Sequence, residues 1–334
     1  MASRAKFRRG KGSAAFPELS GWPGLHSSMM TIGVEVALFN GLSAFPLTPT
    51  TKDGNVDVEA IARLTTRLVD ARVDSIGLLG STGIYAYLTR AERRRAIEAA
   101  MEIAGGAVPV MVGVGALRTD EACHLACDAA KAGTDALFMA PMTYTPLTDE
   151  EVFEHFVAVA GATHLPLCIY NNPSTTHFTF SAELLGRLAG VPHIAAVRMP
   201  LPADGDVRAE LAALRSGPAG ALAIGDSGDW GMADAFLSGA DAFYSALGGI
   251  LPTEVLALAR AARSGDTTEA HRIDQAFQPL WALFRTLGGL RVIYAIAKQR
   301  SLCDADPPRP ILPLQSREHA LVREALDILD KGFA

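Results

Sequence analysis

Cysteine is scarce. The four present (Cys123, Cys127, Cys168, Cys303) form no C-x-x-C pair, and the eight histidines form no H-E-x-x-H. A zinc ribbon, a zincin helix and a disulfide framework are therefore all poor expectations, and a reducing cytoplasm is the default compartment. No cofactor or metal is called for by any motif. Long apolar runs are missing as well. Gly, Pro or charge breaks each one short of the ~18 residues that suggest a membrane span, so the chain reads as soluble with no membrane partner. Charged residues are few, at 20% against 49% hydrophobic. That balance excludes a disordered chain, a collagen and a coiled coil, and a chain of 334 residues can bury a full core without staples.

Negative charge is the excess, at a formal net of −6, and it is unevenly spread. Residues 1–30 hold Arg4, Lys6, Arg8, Arg9 and Lys11 against Glu18 alone, a net of +4 that leaves −10 for the rest. An acidic body argues against nucleic acid as a partner. The basic start has no apolar run behind it, so it is not a secretory signal. It reads as a disordered arm or as sequence upstream of a start at Met29 or Met30.

From residue 41 onward, short apolar runs alternate with longer amphipathic ones, the signature of βα units. Eight strands are expected, at 41–49, 75–80, 109–114, 136–141, 166–172, 194–200, 221–226 and 242–247. Helices should begin near Asp57, Arg90, Thr119, Asp149, Ser181, Asp204, Asp229 and Pro252. Two of them carry a capping box, Thr89-x-x-Glu92 and Thr148-x-x-Glu151. Units of about 28 residues suit an α/β fold of the (β/α)8 TIM-barrel type. A doubly wound sheet is the rival, but the first strand runs into Leu47-Thr48-Pro49-Thr50 without a G-x-G-x-x-G turn. The expected layout is an arm and lead-in over 1–37, a barrel over 38–266 and a C-terminal helical extension over 267–334, its first part interrupted near Gly288-Gly289.

In such a barrel the chemistry lies where strands end. Strand two ends in Gly80-Ser81-Thr82-Gly83, a turn that could hold a carboxylate or phosphate oxygen or be a plain Gly/Ser turn. Strand five ends in Tyr170-Asn171-Asn172-Pro173, whose phenol could relay protons or simply be buried with its hydroxyl satisfied. Strand six ends in Val197-Arg198-Met199-Pro200. A guanidinium there needs an anion or an internal carboxylate.

Taken in order, Ala44-Phe45-Pro46-Leu47-Thr48-Pro49, Gly80-Ser81-Thr82-Gly83 and Ile169-Tyr170-Asn171-Asn172-Pro173 resemble the dihydrodipicolinate synthase/N-acetylneuraminate lyase family over roughly residues 38–315. The resemblance implies a class I aldolase on a (β/α)8 barrel, a homo-oligomer (tetramer or dimer) that acts on a small 2-keto acid through a lysine Schiff base. It also implies roles. Ser81 and Tyr170 would be catalytic proton-relay groups, Tyr144 a tyrosine lent to a neighbouring subunit, and Thr82 a carboxylate binder. Thr48, Gly80, Asp229 and Ser245 complete the implied substrate-binding set. The bland reading of Asp229 is the N-cap of helix seven, and that is the preferred one.

Three departures qualify the resemblance. Its Schiff-base lysine position is Arg198, which stays protonated and cannot act as an amine nucleophile. The glutamate after the glycine-hydroxyl turn is Ile84, and the arginine for a distal carboxylate is Thr175. Two classes of function stay open: a lyase of this family in which Arg198 is catalytic without an imine, or a non-catalytic small-acid-binding or regulatory descendant. An engineered Lys-to-Arg change is a third. Cys123 and Cys127, four apart on one helix, are expected to be packing residues.

Overall fold

The computed structural model describes residues 38–333, so the basic arm lies outside the described residues. Eight parallel strands close into a barrel in chain order: β1 (Gly41–Ala44), β2 (Ser75–Leu78), β3 (Val110–Gly113), β4 (Ala136–Met139), β5 (Leu167–Tyr170), β6 (Ile194–Pro200), β7 (Ala223–Ser227) and β8 (Ala242–Ser245). Closure comes from β1 pairing with β8, Gly41 opposite Ala242 through Ala44 opposite Ser245. The doubly wound alternative is thereby excluded.

Helices follow each strand: α1 (Val58–Ala71), α2 (Arg90–Ala104), α3 (Thr119–Lys131), α4 (Asp149–Ala160), α5 (Ala182–Ala189), α6 (Val207–Ser216), α7 (Met232–Leu237) and α8 (Pro252–Arg263). Both capping boxes form. In each, the threonine oxygen accepts from the backbone N–H three residues on, and the glutamate reaches back to the threonine N–H. Asp57 and Ser181 cap α1 and α5 with the side-chain bond alone, each accepting from the backbone N–H three residues on. Three further helices, α9 (Thr267–Leu283), α10 (Gly289–Gln299) and α11 (Ser316–Phe333), pack on the barrel, with one π-helical turn over Phe284–Gly288 between α9 and α10. By composition Thr267–Gln299 is apolar enough to cross a membrane. Here its apolar face is spent indoors, where Phe277, Leu280, Trp281, Val292 and Ile296 are fully buried.

Alternation along the strands sorts side chains between two cores. One set faces the helices: Leu42, Ile76, Val112, Leu137, Ile169, Val197 and Ile224 belong to a single cluster with residues of α1–α10. Each such buried aliphatic contributes roughly 1.5–3 kcal/mol. The other set fills the lumen, where Phe39, Phe45, Met111, Phe138, Tyr170 and Tyr244 pack with small alanines. Space for the rings is made by glycine. A Cβ on Gly77 would sit 2.3 Å from the Phe45 ring, and one on Gly225 would sit 2.7 Å from that of Tyr244. The barrel is thus plugged below, and the strand C-terminal ends are the open face.

Candidate active site

The open face is built from the ends of β2, β5, β6, β7 and β8. After β2 the chain makes a tight turn over Leu79–Ile84, with the Ile84 N–H donating to Ser81 O at 3.2 Å. Leu79 (φ 59°) and Ile84 (φ 51°) both sit in the left-handed region. For a buried β-branched residue that costs on the order of 1–3 kcal/mol, a strain that clusters at ligand sites. The turn presents Gly80, Ser81 and Thr82 together.

Ser81 Oγ and the Tyr170 hydroxyl lie 2.8 Å apart, and Asn172 Nδ2 donates to the same phenol oxygen at 3.1 Å. Asn172 fixes the phenol oxygen by donating to it, and the Ser81–Tyr170 contact can run with either hydroxyl as donor, a two-hydroxyl chain suited to moving a proton. Residues 81, 170 and 172 are thus brought together from strands two and five. Arg198 joins them. Its guanidinium carbon lies 3.9 Å from the centre of the Tyr170 ring, a cation over a π face.

The Arg198 side chain has no hydrogen-bonded or ion-paired partner among the described residues, and its buried Nε is unsatisfied. Of the two partners expected for it, an anion or an internal carboxylate, no carboxylate pairs with it among the described residues. Asp226 is near, yet on β7 Ala223 faces the lumen and Ile224 the helices, so Asp226 points outward, away from the lumen. Both Asp226 oxygens are buried and unpartnered. Burial pushes its carboxyl up from 3.8 to about 7, the like charge of Glu210 on α6 adds to this, and Arg198 opposes it.

Asp229 requires a correction. It caps no helix: α7 begins only at Met232, and Gly231 precedes it. The Asp229 carboxylate instead accepts from Ser245 Oγ and from the Leu247 and Ala246 N–H groups at 3.0 and 3.3 Å. Ser245 in turn accepts from the Gly248 N–H at 2.8 Å and is wholly buried. The pair spends these hydrogen bonds on tying the end of β8 to β7. Thr48 is buried after β1, and its carbonyl takes a long contact of 3.5 Å from the Tyr294 hydroxyl. Tyr144 is not brought into the cluster within one chain; it is 95% exposed in the loop before α4.

Two tyrosines, one beside the turn and one in the lumen, escaped the sequence reading. Tyr85 follows the strained turn and is buried, with Arg93 stacked 5.2 Å from its ring centre. Burial raises its hydroxyl pKa, Tyr170 adds to the rise, and Arg93 and Arg198 oppose it. The other is Tyr244, whose hydroxyl lies 3.5 Å from Cys168 Sγ in the lumen; burial pushes the thiol up to about 12. A cavity of about 380 Å³ opens beside Ser81 and Tyr85. No cluster of three metal-ligating side chains occurs among the described residues. Cys123 and Cys127 direct their thiols to the carbonyls of Ala158, in α4, and Ala162, just past its end, which fastens α3 to that segment.

The model of the dihydrodipicolinate synthetase family matches residues 38–329. A 4-hydroxy-tetrahydrodipicolinate synthase of Corynebacterium aurimucosum is 31% identical over 303 residues, which span 90% of this chain and 98% of that one. A crystal structure of dihydrodipicolinate synthase from Agrobacterium tumefaciens is 59% identical with a TM-score of 0.87, covering 88% of this chain and 99% of that one. The dihydrodipicolinate synthase structure from Aquifex aeolicus is 27% identical with a TM-score of 0.81, over 87% and 98%. With its barrel, its order of strand-end motifs and these likenesses, the chain belongs to the dihydrodipicolinate synthetase family.

Proposed function

We propose that this family member is a lyase acting on a 2-keto acid or a related small carboxylate, held by the Arg198 guanidinium rather than by an imine. The observation that carries the reading is the unpaired Arg198, stacked on Tyr170 at 3.9 Å, with the Tyr170–Ser81 hydroxyl chain beside it. A fixed guanidinium can bind a carboxylate through its N–H fork and stabilise the oxyanion of an enolate as charge develops. Tyr170 and Ser81 then deliver or remove the proton that accompanies bond making or breaking at the neighbouring carbon. Thr82, Gly80 and Thr48 would line the carboxylate end.

No described lysine stands in for the missing amine. Lys52 and Lys131 are exposed, on a loop and a helix end, Lys298 is ion-paired to Asp304 and Asp306, and Lys331 lies in α11. Tyr144 and Leu117, 95% and 63% exposed on loops at the open face, support a homo-oligomer in which a second subunit covers them. The replacement of the amine also favours a second reading, a non-catalytic binder of small acids.

The test is reductive trapping. The protein and its Arg198→Lys variant are incubated with pyruvate and borohydride, and adducts are sought by mass spectrometry. An adduct on the variant alone is expected, which makes position 198 the switch between covalent and non-covalent handling. An adduct on the unaltered protein would overturn the reading. Turnover of a keto acid by the unaltered protein separates the lyase from the binder.

A further inference from the structure

The cavity beside Ser81 bears on the part of the ligand that Arg198 does not hold. Its walls are mostly apolar, with Tyr85, Tyr87, Met142, Leu290 and Ile311 beside the hydroxyls of Thr143, Thr175 and Thr176, and among the described residues no charged side chain lines it. The exposed hydroxyl of Thr175 reaches Asn172 O at 3.3 Å. A carboxylate placed in such a space would lose water and find no cation. An apolar group would gain burial against the same walls.

The Tyr85 wall is prebuilt. Arg93 lies over its ring and donates through Nη1 to the Gly115 carbonyl at 2.9 Å. Gly115 keeps the ring in place because a Cβ there would stand 3.2 Å from Tyr85 Cε2. The ring also follows directly on Ile84, the strained residue that closes the Ser81 turn. Its position is fixed by the same backbone that presents Ser81, so the cavity is coupled to the proton-relay pair and is not a separate hollow.

We infer that the ligand is a 2-keto acid whose substituent is neutral and largely apolar, of aryl or branched-alkyl size, and that Tyr85 and the side chain at Thr175 select it. The inference rests on the reading that Arg198 holds the keto-acid end. Tyr85 supplies a ring to pack against, and Thr175 supplies no positive charge where a distal carboxylate would need one.

Calorimetric titration of the full chain with pyruvate, 2-oxoglutarate and phenylpyruvate tests the inference, repeated on the variants Thr175→Arg and Arg198→Met. Phenylpyruvate should bind tighter than either of the others by about tenfold or more, the range that filling an apolar pocket provides. Thr175→Arg should narrow the gap to 2-oxoglutarate. Arg198→Met should weaken all three. If 2-oxoglutarate binds the unaltered protein as tightly as phenylpyruvate while Arg198→Met still weakens pyruvate, the neutral-substituent inference is overturned and the Arg198 reading survives. If Arg198→Met leaves all three affinities unchanged, or no keto acid binds the unaltered protein, the Arg198 reading itself is overturned. The ranking on the unaltered protein decides the inference even where a variant fails to fold.

Discussion

A carboxyl group with neither oxygen partnered, Asp226, holds its proton more tightly in the folded chain than in the unfolded one. Its folded pKa, about 7, lies above the ordinary 3.8, so folding takes up a proton between those values. The cost of burying the charge is absent below the lower value, grows as pH rises, and is fully present above the upper one. Asp226→Asn should therefore raise the melting temperature more at pH 8 than at pH 5, with a difference on the order of 2 kcal/mol in stability. A gain independent of pH in thermal melts would count against this account. The sequence showed Asp226 at the end of a strand but not which way it faced, because Ala223-Ile224-Gly225 offers one bulky residue and no alternation to read. Tyr85 was illegible for another reason. Nothing in its neighbourhood marks it, and what turns it inward, Arg93 and the bare Cα of Gly115, lies 8 and 30 residues further along.

The Leu79–Ile84 turn is the element on which the candidate site depends, and it rests on β3. A Cβ on Gly113 would fall 2.1 Å from the Leu79 carbonyl oxygen, a backbone atom that cannot step aside without moving the turn. Gly113→Ala is expected to cost about 2 kcal/mol or more and to weaken keto-acid binding, as read by denaturant melts and titration. Retained affinity would show that the turn does not position Ser81. The Asp229 cluster makes a similar case at β8. Asp229→Ala leaves the Ser245 hydroxyl and two N–H groups without their acceptor, and about 2–4 kcal/mol of stability should go with it in the same melts. Helix starts were legible wherever a local code writes them, as at Thr89–Glu92, Thr148–Glu151, Asp57 and Ser181. They were misread where the acidic residue does something else. Asp204 precedes α6, which is capped by Asp206, and Asp229 looks forward to β8, a tertiary contact that no local pattern encodes. The break near Gly288-Gly289 was visible because glycine interrupts the apolar period, and it takes the form of a π turn.

At the scale of the whole molecule, the barrel depends on helices that come after it. Phe277 stacks on Trp281 at 4.9 Å and meets Phe333 of α11 edge-on at 6.1 Å, while Arg300 pairs with Asp330 at 2.5 Å. Removing residues 316–334 should bare that aromatic cluster and yield an aggregating protein, seen as lost soluble yield and new binding of a hydrophobic dye. A truncated chain that melts like the full one would mean that α11 is dispensable. Sedimentation of the full chain should give a mass well above the 35.2 kDa of one chain, and a monomer would remove the support that Tyr144 and Leu117 lend to a shared site. The closed ladder carries a last consequence. At position 198 the strand pairs with Tyr170 on one side and Gly225 on the other, and its carbonyl accepts from Asn171. All of these bonds belong to the main chain. The strand ladder therefore asks nothing of the side chain at that Cα, so an amine could stand in place of the guanidinium without a change in the strand pairing, at the expense only of the stacking on Tyr170.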